Sequence, residues 1–122
     1  MGLGIETRLC DQLARYLDLA SDEAKLTAAN MANIDTPGYK AMGMDFGTEM
    51  RQAMSEADQG LPGHPVHVTE VQGLIARPDG NNVSMDREGL NLAEVQLKFK
   101  TGVALLRIEY QQMMDAIHAD GK

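Results

Sequence analysis

Tryptophan is missing from this chain, phenylalanine occurs twice and tyrosine three times, so aromatics make up only 4% of its 122 residues. A β-sandwich fills its faces with aromatic and β-branched side chains, and that supply is short here. The apolar share of 43% comes instead from nine methionines and many alanines, small or adaptable side chains suited to helix contacts. Cysteine is nearly absent as well. A lone Cys10 excludes an intrachain disulfide and a thiolate metal cage, and reads as a small apolar side chain on a helix face. Positive charge is scarce: 11 Lys and Arg stand against 18 Asp and Glu, a net charge of −7. Each third is negative, with −3 over residues 1–35, −3 over 36–82 and −1 over 83–122. No basic stripe exists to neutralise phosphates, which argues against nucleic acid as a partner. No run approaches the ~20 apolar residues of a membrane span. The start, Met1-Gly2-Leu3-Gly4-Ile5-Glu6, also lacks the basic residues and apolar run of a cleaved secretory signal.

What the chain does have is two heptad seams. Leu13, Leu17, Ala20, Ala24, Thr27, Met31 and Ile34 alternate steps of four and three, and Arg15, Asp18, Asp22, Glu23 and Lys25 lie mostly outside that line. The pattern predicts a helix over about residues 5–35, running unbroken through Ser21. Near the other end, Leu92, Gln96, Phe99, Val103, Leu106, Tyr110, Met113 and Ile117 repeat the same steps and predict a second helix over about 85–119, ended by Asp120-Gly121. Gly102 inside it costs about 1 kcal/mol relative to Ala, a cost that either close approach of another helix or simple tolerance would explain.

Residues 36–82 hold most of the glycines and all four prolines. Gly60-Leu61-Pro62-Gly63-His64-Pro65 cannot hold a regular element, and Pro78-Asp79-Gly80-Asn81 signals a turn. Val66 to Val71 alternates like a short strand, and Met44 to Met54 adds a helical turn or two. The expected fold is therefore mainly α: an antiparallel, coiled-coil-like pair of terminal helices joined by an irregular, partly β middle. It forms one unit in three parts: 1–35, 36–84 and 85–122. The matching seams suggest Leu17 opposite Met113 and Met31 opposite Phe99. Leu9, Leu19, Leu26, Leu90, Leu97 and Leu105 fall beside the seams, where neighbouring subunits would cover them. Such a chain reads as an interaction protein that assembles.

The end of the first helix carries the most specific string: Ala29-Asn30-Met31-Ala32-Asn33-Ile34-Asp35-Thr36-Pro37-Gly38-Tyr39-Lys40. Pro37 disfavours helical geometry at Thr36, and Pro then Gly at the second and third positions of Thr36–Tyr39 fits a type II turn. Asn30 and Asn33 fall in the last helical turns, where amides satisfy freed carbonyls. Tyr39 would anchor the turn against the helix pair, and Lys40 reads as an exposed charge.

This string resembles the N-terminal signature of the flagellar rod, hook and hook-associated proteins. Within that family, Asp45-Phe46, Asp79-Gly80-Asn81-Asn82-Val83 and Leu92-Ala93-Glu94-Val95-Gln96-Leu97-Lys98-Phe99 are most similar to the proximal-rod branch, with a sibling rod protein as the alternative. The matches cover both ends of the chain in order, about 75 residues. Gly89 departs from a larger apolar residue in the family, Met31 and Ile34 replace commoner choices, and residues 47–78 match nothing. The resemblance implies a non-enzymatic subunit of the periplasmic basal-body rod, exported by the flagellar type III route without a cleaved signal. Its implied partners are other rod subunits, the FliE adaptor and the inner-membrane MS ring. It implies no cofactor.

The residues support no rival chemistry strongly. Ser21, Ser55 and Ser84 have no His and Asp in a recognisable setting, and no phosphate-cradling glycine loop occurs. His64-Pro65-Val66-His67 spaces two imidazoles three apart, but without a third ligand in a defined element they read as solvated loop histidines. His118 reads as exposed. A helical chaperone or adaptor of the export system, binding partner helices through the same seams, is the alternative from another class.

Overall fold

The computed structural model describes residues 2–120, with side chains over residues 7–119. Five elements follow one another: α1 (Gly2–Ala32), β1 (Met42–Gly43), α2 (Phe46–Asp58), β2 (Thr69–Glu70) and α3 (Met85–Asp120). The described residues are mainly helical, with three helices and one two-stranded sheet. The stop expected at Gly121 lies outside the described residues.

α1 runs unbroken through Ser21, because its apolar line keeps register there and no proline intervenes. It ends at Ala32, three residues short of the expected Asp35. Ile34 N donates to Met31 O at 3.3 Å and Thr36 N to Asn33 O at 3.1 Å. These i→i+3 bonds tighten the chain before the proline is reached.

α1 and α3 are antiparallel. Cys10 meets Met113, Tyr16 and Leu17 meet Gly102, Glu23 meets Lys98, and Asn30 meets Glu88. Numbers rise along one helix as they fall along the other. The register differs from the expected one: Leu17 faces Gly102, roughly three helical turns from Met113. Gly102 explains the choice. A Cβ there would stand 2.6 Å from Leu17 Cδ2 and 3.0 Å from Tyr16 Cδ2, so the glycine is what lets α1 approach.

The inward line of α3 is also rotated from the expected seam. Glu88, Val95 and Gly102 are buried and Glu109 half-buried, each seven residues after the last. Leu92, Phe99, Leu106 and Met113 flank them, half-buried. Val103, Tyr110 and Ile117, expected in the seam, are 41%, 56% and 52% exposed. The reason is plain. Three of the four central positions are Glu or Gly, and an apolar scan passes over Gly102 and Glu109 in favour of Val103 and Tyr110, each one position on.

The middle holds more order than its glycines suggest. α2 spans 13 residues and opens on Asp45, whose side chain accepts from Thr48 N at 3.1 Å, a standard N-cap. Its buried residues Glu49, Ala53 and Ala57 recur every four positions, so one face meets α1. The Phe46 ring packs edge-on against Tyr16, 5.7 Å between centroids, and Gln12 Nε2 donates to Asp58 at 3.0 Å. Leu19, expected to await a neighbouring subunit, is buried on this side of α1. Of the stretch Val66–Val71, only Thr69 and Glu70 form a strand. They pair antiparallel with Gly43 and Met42, which brings the start of the middle segment back beside its end. No helix among the described residues is long and apolar enough to cross a membrane.

Candidate functional site

The string at the end of α1 and the Asp79–Val83 stretch before α3 meet in space. They form a buried polar clasp. Asn30 is 1% exposed, and its amide makes four hydrogen bonds to three residues. Nδ2 donates to Met42 O at 2.8 Å and to Glu88 Oε1 at 2.9 Å, while Oδ1 accepts from Tyr39 Oη and Met42 N, each at 3.0 Å. One side chain thus links α1, the turn, β1 and α3. Asn30 was expected to cap freed helix carbonyls. Its burial turns it to these partners, and Asn33 does the capping, donating to Ala29 O at 2.8 Å.

Asn81 holds the other half. Fully buried, it donates through Nδ2 to Asn33 O and Thr36 O, both at 2.8 Å, and its Oδ1 accepts from Val83 N at 2.9 Å. Asn82 Oδ1 accepts from Ala41 N at 2.7 Å. Buried amides with every group satisfied specify one geometry, because any other arrangement strands a polar group. Val83 is buried beside them, and the Ser84 hydroxyl accepts from Arg87 N at 3.3 Å to start α3.

The turn itself has the form its residues call for. Tyr39 N donates to Thr36 O at 3.2 Å and Gly38 has φ +76°, the left-handed value required at the third position of a type II turn. Pro37 and Gly38 are exposed, yet Gly38 N donates to Asp79 O at 2.9 Å. Gly80, at φ +87°, lies against it: a Cβ on Gly80 would stand 3.4 Å from Gly38 Cα. Lys40, expected as an exposed charge, is half-buried and donates to Gly80 O. Arg77 reaches over the end of α1 to Ile34 O.

Sequence reasoning missed several members. Glu88 is completely buried, shared between the Asn30 amide and the Arg87 guanidinium. Nothing in a heptad pattern marks a glutamate as interior. Lys98 lies 3.7 Å over the Phe46 ring and pairs with Glu23 at 2.6 Å, so the Asp45-Phe46 pair is docked by α3 as well as by α1. Asp45 itself titrates below its usual range because the Thr48 amide donates to its carboxylate.

No family model matches the chain. Among individual proteins, the flagellar basal body rod protein FlgB of Salmonella typhimurium is 31% identical over 119 residues, covering 83% of this chain and 86% of that protein. The chain belongs to the FlgB family of flagellar basal-body rod proteins. FlgB of Yersinia ruckeri is 29% identical over 119 residues, covering 83% and 87% of the two chains. FlgB of Escherichia coli is 27% identical over 121, covering 84% and 88%.

In this member of the FlgB family, Ala20 is buried and Leu13, Leu17, Ala24 and Met31 are half-buried along α1, as is Ile34 in the turn after it. Gly89, the departure from the family pattern, has open space where a Cβ would be, with no atom of the described residues within 4 Å.

A second polar cluster lies apart from the clasp, on α2 and the segment after it. Glu49 is 3% exposed. Its Oε1 accepts from His67 N at 2.7 Å and lies 2.9 Å from His67 Nδ1. The His67 amide is the main cause that holds the Glu49 carboxyl below its usual range. His64 Nδ1 stands 2.9 Å from both Glu56 oxygens, and that contact chiefly raises the imidazole above its ordinary value. His64 is therefore half-buried against α2, where a solvated loop side chain was expected, while His67 bonds to Glu49 and keeps its ring exposed as expected.

Proposed function

We propose that this chain is a non-enzymatic structural subunit of the proximal rod in the bacterial flagellar basal body. The reading is carried by one observation. The two stretches on which the rod-family resemblance rests, Asn30–Lys40 and Asp79–Val83, are joined in one satisfied hydrogen-bond network, within a chain of the FlgB family. In this reading the clasp fixes the antiparallel pair as a stiff unit. The faces it leaves uncovered, with Leu90, Leu97, Val103 and Ile108 exposed, pack coiled-coil-like against neighbouring subunits. Heterologous contacts of that kind extend without closing and build a helical tube, which encloses an export channel and transmits torque through packed helices.

The partners are other rod subunits, the FliE adaptor and the MS ring, and the place of work is the periplasm, reached by type III export without a cleaved signal. The proximal-rod role is favoured over the sibling rod protein FlgC because the relatives above all carry the name FlgB. Detergent-extracted basal bodies test this directly. The protein should co-purify with them, and Leu97→Glu should be secreted normally yet be missing from them. Recovery of the wild-type protein only from the cytosol, bound to other export substrates, would replace the rod reading with the chaperone one.

A further inference from the structure

His64 and His67 lack a third ligand in sequence, and the fold supplies one. Glu49 on α2 comes to them, and a donor atom from each of the three lies within 4.8 Å of the others. Two of the atoms are unsatisfied. Glu49 Oε2 and His64 Nε2 are both buried with no hydrogen-bond partner, and they face each other at 3.3 Å. Buried polar atoms are rarely left so, since each costs roughly 1–3 kcal/mol. A charge-assisted hydrogen bond between them would close to about 2.7–2.9 Å. Two donors of one tetrahedral ion with bonds of ~2.0–2.1 Å stand roughly 3.3 Å apart, which is the separation seen.

The surrounding groups suit a cation. Glu56 accepts from His64 Nδ1, which fixes the tautomer that leaves the Nε2 lone pair to bind, the carboxylate–histidine–metal arrangement. The His67 ring lies 5.7 Å from the His64 ring, centroid to centroid. Beside Glu49 and His64 opens a cavity of about 310 Å³ that Asp18 and Asp22 also line, with room for a water on the ion's remaining position. Two imidazoles and one carboxylate favour a divalent transition metal over Mg²⁺ or Ca²⁺.

We propose that Glu49, His64 and His67 bind one such ion, best fitted by Zn²⁺. The ion staples the segment over residues 61–68 to α2. That segment contains no regular element and none of its residues is fully buried, so a metal supplies the tie that a core does not. The site is independent of the rod assignment and can fail without it.

Calorimetric titration of the chelator-treated full chain with ZnCl₂, in a Cys10→Ser background, tests the proposal. One Zn²⁺ per chain should bind, and MgCl₂ should not substitute. His67→Ala should weaken binding at least tenfold. Its side chain is 74% exposed, so its removal leaves the fold intact by circular dichroism. Glu56→Gln, which positions His64 without touching the ion, should weaken binding about 10–100-fold. Zn²⁺ should also slow proteolysis within 61–68 in the parent and leave His67→Ala unprotected. Equal Zn²⁺ binding by the parent and a His64→Ala/His67→Ala double variant would overturn the site, as would no binding at millimolar Zn²⁺. Binding without protection would overturn the staple.

Discussion

Where α1 stops and α3 begins, the interior is polar: Asn30, Asn81 and Glu88 are among the largest fully buried side chains of the molecule. At the opposite end of the same helix pair the apolar groups are on the outside. Tyr110, Met114 and Ile117 are each about half exposed, and Leu9 is 38% exposed. The clasped end is thus complete within one chain, because every buried amide has found its partners. The open end is incomplete, because its apolar surface is left uncovered by the described residues. Polar groups, being directional, fix how the two helices cross. Apolar surface carries little direction and is left for association.

That contrast can be broken experimentally. The largest expected effect is all-or-none. Met113→Cys should form a disulfide with Cys10 on mild oxidation, since Cys10 Sγ and Met113 Sδ are 3.8 Å apart. The same pairing attempted between Leu17→Cys and Met113→Cys, in a Cys10→Ser background, should fail. Non-reducing gels read both. A crosslink from Leu17 alone would mean that the open end slides to another register.

Next in size is the loss of a clasp amide. Asn81→Ala strands Val83 N and removes one of the two donors at Asn33 O and at Thr36 O, and should cost about 1–3 kcal/mol in urea unfolding. Ile117→Ala at the open end should change stability by less than about 0.5 kcal/mol. Similar losses from the two would erase the distinction between the ends.

The glycines come third. Gly102→Val forces Tyr16 and Leu17 aside and should cost about 1–3 kcal/mol. A Cβ at Gly38 meets no neighbouring atom within 4 Å, so backbone strain is the main cost of Gly38→Val, again about 1–3 kcal/mol. Pro37→Ala, which keeps the turn's geometry open to it, should cost under about 1 kcal/mol. Thermal melts with circular dichroism rank the three variants, and a Gly38→Val melt equal to wild type would remove the turn from the clasp.

The smallest effect is at the α2 cap. The folded pKa of Asp45 is depressed, so the cap's contribution is fully present above the usual aspartate range and fades as pH falls through the folded value. Asp45→Asn still caps. It should therefore flatten the acid limb of the wild-type stability curve slightly while leaving neutral stability nearly unchanged. An unaltered acid limb would show that the carboxylate charge contributes nothing there.

The residues alone determined the two long helices and the turn between them and the middle. Heptad spacing is local, Pro37 acts on the residue before it, and Gly38 supplies a backbone angle few others adopt, so each leaves its mark in the order of the residues. They also determined the family likeness, since the Asn30–Lys40 and Asp79–Val83 strings are contiguous. Tertiary structure alone decided the register of the helix pair and the rotation of α3. Both hang on Gly102 and Glu88, whose interior roles depend on what lies across from them. It also decided that α2 packs on α1, through Glu49, Ala53 and Ala57, a face too weakly apolar to announce itself. The meeting of Glu49 with His64 and His67 belongs with these. It joins side chains fifteen and eighteen positions apart, and such contacts arise from how the chain turns back on itself after α2, which no local pattern encodes.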